Sequence, residues 1–518
     1  MKHRATALAR AAVAMAAATM LAACGGGSGG GGEGGAAPPS ELLGPAWWGL
    51  GRDAQHTAQS GVATQDLARI VWQAPVDLAP PYVANNVLLI HYGAPAITAR
   101  NTVIFGVKIE RDSGSRIEAR AGAGGALQWS ATTDYVLPEH DWVPSFNVAL
   151  TRANRVYWPG AGGRLYYRDD ADAATAAVQS VAFYGDAAYG AARSAYDVAV
   201  KISTPLTIDP EGNVYFGFVV TGPTPAGLTS GFARVAPDGT GTWIAARAAA
   251  NDARIVRPAT NGAPALSNDL STLYVVATDA PALGDHASGV LLALDARTLA
   301  PRASVTLRDP VTGELSWVSD NGTASPTVGP DGDVFYGVLE SNAPAHNFRG
   351  WLLHFDATLR TAKVPGSFGW DQTVSIAPAS MVPQYTGASS YLVVSKYNNY
   401  FGVGTGDGLN RMALLDPAAS QSDGIAAIPV MREVTTILAP GGSMREWCVN
   451  TVAVDPATSS VLVNNEDGRL YRWHLPSNTL SQGVRFNNGY AQAYTPTSIG
   501  PDGKVYAISN ATLFAVGR

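Results

Sequence analysis

Side chains able to move protons or hold a polar ligand gather in five short stretches: EHDW at 139–142, SDNG at 319–322, GWDQT at 369–373, REWCVN at 445–450 and GYAQAY at 489–494. The ligand-binding candidates they supply are His140, Asp141 and Trp142, Asp320 and Asn321, Trp370, Asp371 and Gln372, Arg445, Glu446, Trp447 and Asn450, and Tyr490, Gln492 and Tyr494. An aromatic ring beside an acid, amide or guanidinium suits a sugar or peptide segment, because the ring offers apolar area and its neighbour offers hydrogen bonds. Within that set His140 with Asp141, Asp371 and Glu446 could do acid–base work if the fold brought them together. In the competing reading Trp142, Trp370 and Trp447 fill gaps between packed sheets and the charges are solvated. Nothing in the sequence assigns a catalytic residue.

Other chemistries lack their motif. H-E-x-x-H and G-x-x-x-x-G-K-[ST] are missing from the sequence and G-x-S-x-G falls only within the Gly-rich stretch at 26–30, where no strand or helix could frame it, so a zincin helix, a P-loop and a hydrolase elbow are not expected. His91 and His140 have no second His or Cys at ligand spacing, and no metal site is expected. DPEGN (209–213) and GPDGD (329–333) lack the alternating ligands of a calcium loop and read as turns. The formal net charge is −6, with no basic stripe, which excludes a phosphate backbone as partner on electrostatic grounds. Of the two cysteines, Cys24 belongs to the leader described next, so Cys448 has no intrachain partner and reads as a small buried hydrophobe.

Residues 1–10 form a positive leader and 11–20 an apolar run too short to cross a bilayer, which needs about 20 apolar residues. Leu21-Ala22-Ala23-Cys24 closes that run and resembles a bacterial lipobox. The resemblance implies a signal peptide over 1–23, lipidation of Cys24 and export to the cell envelope; cleavage after Ala23 without lipidation is the alternative. Residues 24–44 then form the lipidated cysteine and a Gly-rich tether that cannot bury apolar area. Gly25 stands where similar lipoproteins carry an aspartate for inner-membrane retention, so in a cell with two membranes the outer one is expected. The lipid would be the sole membrane attachment, and a monomer is expected.

The elements that would carry the five stretches repeat. A small residue or Pro, a short apolar stretch, a turn and an aromatic-rich strand recur in STPLTIDPEGNVYFGF (203–218), GAPALSNDLSTLYVVAT (262–278), ASPTVGPDGDVFYGVL (324–339), NTVAVDPATSSVLVNNE (450–466) and YTPTSIGPDGKVYAIS (494–509). Looser copies begin near 95, 144 and 380, and the eight units are spaced about 57 residues apart. Each is followed by an apolar strand, such as GVLLALDART (289–298), and by a fourth, such as PRASVTL (301–307). Four short strands repeated radially predict an all-β, eight-bladed propeller as a single domain over 45–518. The last unit lacks its fourth strand, and LARIVWQAPV (67–76) is available to supply it and close the ring.

EARAGAGGALQW (118–129) resembles the tryptophan-docking repeat of pyrroloquinoline-quinone-type propellers through Ala119, Gly125 and Trp129, with Ala121 where that motif has Asp. Asp295, Asp356 and Asp416 keep the Asp in other blades, where the Gly and Trp are lost. WWGLGRDAQHTAQSG (47–61) is similar to the opening segment of the same superfamily. The resemblance implies the fold over about residues 45–518, with the tryptophans wedged between blades. The superfamily's dehydrogenases carry a disulfide between adjacent cysteines, a Ca²⁺ ion and an Asp base. This chain has no adjacent cysteines and no shared motif for the Ca²⁺ ligands, so quinone and Ca²⁺ are not expected and no cofactor is assigned. In plan the chain is also similar to the propeller lipoprotein of the outer-membrane barrel-assembly machine, whose partner-binding residues have no match here. The sequence therefore points to a non-enzymatic envelope module for a protein or glycan partner. An extracytoplasmic enzyme using the loop ring, on an alcohol or a polysaccharide, is the alternative.

Overall fold

A computed structural model describes residues 44–518 except 83–87, 89, 112, 141–145, 282–286, 321, 343–344, 399–408, 442–444, 448–449, 490 and 492–494. The architecture follows from alternation and turns. Runs of Val, Ile, Phe and Tyr broken every few residues by Asn, Asp or Gly make short antiparallel strands rather than helices. Eight separate sheets result, arranged as a propeller, and helix accounts for only 6%. In each blade the strands run a to d from the axis outward. Strand a is Ala96–Ile97 in blade one, Ala149–Leu150 in two, Thr207–Ile208 in three and Ala265–Leu266 in four. It is Thr327–Val328 in five, Ser375–Pro378 in six, Ala453–Asp455 in seven and Ser498–Ile499 in eight.

Each inner strand opens on a small residue, which lets eight strands crowd round one axis. Where that residue carries a hydroxyl it bonds to the next blade. Thr207 donates to Pro264 O (2.6 Å), Thr327 to Val374 O (3.0 Å), Ser375 to Val452 O (2.8 Å) and Ser498 to Pro95 O (3.3 Å). The expected unit starts fall from one to five residues ahead of strand a, except in blade six, where the expected start falls after it. There the sequence placed the start near 380, but strand a is Ser375–Pro378, and 382–390 is a turn and loop leading to strand b, Tyr391–Tyr397. The register was missed because SIAP has no turn dipeptide after it.

The ring closes as the sequence implied. Arg69–Pro75 pairs antiparallel with Thr512–Gly517, strand c of blade eight, from Arg69 opposite Gly517 to Pro75 opposite Thr512. Trp72 from this strand lies against blade one: its Nε1 donates to Gly122 O (3.0 Å), and a Cβ on Gly125 (φ +76°) would stand 2.8 Å from its ring. Gly125 is thus required twice, for its backbone conformation and for the close approach. Trp129 does the same one blade on, donating to Ala171 O (2.8 Å) with the Arg168 guanidinium 4.2 Å from its ring centroid.

Blade five departs from the pattern. Its b and c strands are Val334–Val338 and Trp351–Phe355, but its fourth strand is reduced to bridges at Ala362 and Gly366 around Pro365, which has no N–H for a ladder. The long c and d strands of blade six, Arg411–Ser422 and Pro429–Leu438, reach back to cover it. Met431 N donates to Pro365 O (2.7 Å), and Val430 is buried in the core shared by blades four and five. At the hairpin tip Asp423 accepts from Ser367 Oγ, His346 Nε2 (3.3 Å) and the amides of Ile425 (2.8 Å) and Ala426 (2.7 Å). Burial opposes its ionisation, but His346, the Ala426 amide and Ser367 prevail and hold the carboxyl below its ordinary range.

The segment ahead of the closing strand is built into the axis. Trp47–Ala58 follows the blades round the ring, and its carbonyls accept the second amide of six inner strands in order. Ile97 N bonds to Trp47 O (2.8 Å), Leu150 N to Trp48 O (2.8 Å), Leu266 N to Ala54 O (2.8 Å), Val328 N to Gln55 O (3.0 Å), Ile376 N to Thr57 O (3.0 Å) and Val454 N to Ala58 O (2.9 Å). Without this thread six inward-facing amides would be buried and unpaired. Tight winding demands left-handed backbone at Arg52, His56 and Ala58 (φ +73°, +61° and +56°). His56 is fully buried and its Nδ1 donates to Pro326 O (2.7 Å).

Candidate functional site

A propeller has two ends. At one lie the a–b and c–d turns. At the other lie the b–c connections and the loops from each strand d to the next strand a, which carry all five polar stretches. The thread pairs with six of the eight inner strands toward their a–b turns, so it occupies the axis at the turn end and leaves the d-to-a end as the mouth.

At that mouth the described loops are bonded side by side. Asp320, 1% exposed, takes both arms of Arg257 (Nη1 to Oδ1 3.1 Å, with Nη2 on Oδ2) and the Thr260 amide (3.1 Å). Asp371 accepts Thr323 Oγ1 (3.0 Å) and faces the buried Lys396 ammonium (3.4 Å). Gln372 donates to Phe368 O (3.0 Å) and Ser395 Oγ (2.8 Å) and accepts Lys396 N (2.9 Å). Asn450 donates to Thr323 O (3.0 Å), two loops away, and accepts Thr451 Oγ1 (2.6 Å). These four residues lie at one end of the ring: Asp320, Asp371 and Asn450 are spent on neighbouring loops, and Gln372 on its own loop and on strand b of its own blade.

The remaining candidates divide. Trp447 is fully buried, with its amide on Asn398 Oδ1 (3.1 Å) and its ring edge-on to Tyr471 at 6.2 Å, a packing position within the core of blades six and seven. Glu446 accepts Asn398 Nδ2 (3.4 Å), and its amide donates to Glu466 Oε2 (2.9 Å). The Arg445 carbonyl accepts Asn410 Nδ2 (3.0 Å). Trp370 is half-buried beside Phe368 and Tyr397. His140 Nδ1 donates to Pro138 O (2.6 Å) in the loop between blades one and two, half a ring away from Asp371 between five and six. Cys24, Asp141, Trp142, Asn321, Cys448, Tyr490, Gln492 and Tyr494 lie outside the described residues.

Sequence reasoning missed two features of this end. Among the described residues ten large apolar side chains are exposed, and eight of them sit at strand d ends or in d-to-a connections: Leu78, Tyr82, Val136, Val198, Val256, Val311, Leu315 and Leu438. Only Leu127 and Val178 lie elsewhere, at the starts of strands d. Alternation along each strand d was readable, but not that successive ends share a face. The other feature is Arg349, in the connection between strands b and c of blade five, whose carbonyl accepts Gly369 N (2.9 Å) and Trp370 N (3.5 Å). A lone arginine in a loop gives no sequence signal.

The fold is that of the quinoprotein-type eight-bladed propellers. The chain is similar to a structure titled europium-containing methanol dehydrogenase, with 10% identity over 90% of this chain and 89% of that one and a TM-score of 0.53. It is similar too to the quinohemoprotein alcohol dehydrogenase of Comamonas testosteroni, with 14% identity over 91% and 76% and a TM-score of 0.54. The quinohemoprotein alcohol dehydrogenase ADHIIG of Pseudomonas putida HK5 gives 14% identity over 91% and 76% and a TM-score of 0.51. At such identities the likeness is one of fold. No protein-family model and no curated protein sequence matches the chain. Among the described residues no three or more His, Cys, Asp or Glu side chains stand together as a metal cradle, and Asp320 and Asp371 each already face a cation.

Proposed function

We propose that the protein is an exported, lipid-anchored binding propeller of the cell envelope, and that its d-to-a face docks a protein partner without catalysing a reaction. The observation that carries this reading is that, among the described residues, eight of the ten exposed large apolar side chains lie at that one end, distributed around its rim where a broad partner could reach them. The thread supports it by filling the axis at the opposite end. The loop carboxylates support it as well, because a general base needs a free carboxylate and Asp320 and Asp371 are committed. The leader and Cys24 support attachment to a membrane surface, where a rigid face held on a tether would serve as a docking device.

The test is photo-crosslinking in intact envelopes with the reactive side chain at Val198, Val256 or Leu438, against Arg297 in a c–d turn at the other end. A discrete cross-linked protein from the first three and none from Arg297 is expected. Equal labelling from both ends would refute the reading. A glycan array with Trp370→Ala separates a sugar partner from a protein one.

A further inference from the structure

Arg349 is 1% exposed, yet its Nε and Nη2 atoms are buried with no acceptor among the described residues. These two atoms form one edge of the guanidinium, with parallel N–H bonds, and it is this edge that takes a carboxylate side-on. The flat face of the group is already placed, 3.7 Å from the centroid of the Tyr397 ring. The side chain is therefore oriented by packing while its hydrogen-bonding edge is left over. Burying a cation with no counter-charge is strongly unfavourable, so such a group calls for a ligand to supply the charge.

The acids nearby are committed elsewhere. Asp423, which acts on the same tyrosine, is held by Ser367, His346 and two amides. Glu340 accepts the amides of His346 (3.3 Å), Phe348 (2.8 Å) and Gly350 (2.9 Å). Asp371 faces Lys396. Glu433 also bears on Tyr397 but makes no ion pair with Arg349 among the described residues. Other donors nearby are unmatched too: Asn347 Nδ2, Trp351 Nε1 and Trp370 Nε1. Every buried orphan between residues 340 and 373, among those described, is a nitrogen donor, so the local deficit is one of negative charge and acceptors. Trp370 joins Arg349 through its backbone and packs on the same Phe368–Tyr397 cluster.

We propose that Arg349 anchors a carboxylate-binding subsite at the d-to-a end, with its Nε–Nη2 edge taking one carboxylate and the half-buried Trp370 indole lying beside it. The burial of Arg349 restricts the occupant to a single inserted carboxylate, in contrast to a broad anionic surface. This adds the partner's chemistry to the docking reading but rests on its own geometry.

The experiment is thermal unfolding of the purified protein in acetate, glucuronate or chloride at one ionic strength, with glucose as the neutral control. Acetate and glucuronate are expected to raise the midpoint saturably. Arg349→Lys, which keeps the charge and loses the fork, should weaken that response at least tenfold, and Arg349→Met should abolish it. A tighter response to glucuronate than to acetate would assign a sugar acid, and equal responses a peptide carboxylate. Without any anion Arg349→Met should be at least as stable as the parent, because it removes an unpaired buried charge. No saturable response in the parent, the same response in Arg349→Lys, or a large loss of stability in ligand-free Arg349→Met would each overturn the proposal. Should Arg349→Met fail to fold, that loss counts against it and Arg349→Lys still reports the fork. An acetate response without face-selective cross-linking would refute the docking reading alone; cross-linking without an acetate response would refute the subsite alone.

Discussion

Trp72→Ala removes the indole that ties the closing strand to blade one, and its cost can be worked from the contacts. Trp72 is 8% exposed, packs on Gly125 and on Tyr506 at 5.8 Å, and donates one hydrogen bond to Gly122 O. Emptying a buried tryptophan site costs about 3–5 kcal/mol, and the hydrogen bond adds about 1 kcal/mol. Trp72→Phe keeps most of the apolar area and should lose only about 1–2 kcal/mol. Because a large ring unfolds as a unit and often irreversibly, the suitable assay is the unfolding rate in denaturant, followed by fluorescence, with protease sensitivity of the Arg69–Pro75 strand as a second readout. The control is Val198→Ala, which removes a 74% exposed side chain and should change the rate little. If Trp72→Ala unfolds no faster than that control, the strand is not the latch that holds the ring.

Three further outcomes follow from buried ionisable groups. Asp320→Asn leaves the Arg257 guanidinium buried without its carboxylate and should cost about 3–5 kcal/mol in chemical denaturation, while an apolar replacement of both partners should cost less. Asp423 ionises below the ordinary carboxyl range, so its contribution is present above the unfolded pKa and is lost as pH falls through the folded one. Asp423→Asn should therefore be less stable at neutral pH but flatter in acid, and an unchanged acid slope would refute the assignment. Burial lowers the pKa of His56 below 6.5, partly offset by its bond to Pro326 and the charge of Asp53. The unfolded chain then takes up a proton that the folded chain refuses, so stability should fall as pH drops below about 6.5, and His56→Asn should remove that slope.

The sequence exposed the blades because each carries its own local code: a small residue, a turn former and an alternating strand, repeated with a steady period. It also exposed the latch, since a missing fourth strand at one end and a spare one at the other need no geometry to match. Blade six was misplaced by about five residues because Ser375–Pro378 lacks a turn dipeptide, and blade five's broken outer strand was missed because its cover comes from the hairpin of the next blade. The thread was visible only as a resemblance. WWGLGRDAQHT has no periodicity, and its structure is set by six amides belonging to other parts of the chain. Residue type could not reveal that Asp320, Asp371 and Asn450 are bonded to neighbouring loops and Gln372 to strand b of its own blade. Nor could it reveal that Trp447 is core while Arg349 lacks an acceptor.

The structural basis for a single open end is the thread through the axis, and amide hydrogen exchange tests it most directly. The amides of Ile97, Leu150, Leu266, Val328, Ile376 and Val454 should exchange as slowly as the strand b amides, and shortening Trp47–Ala58 should speed all six together. If those six exchange at loop rates in the parent protein, or are untouched by the shortening, the axis is not filled by this segment and the assignment of the opposite end as the docking face loses its footing.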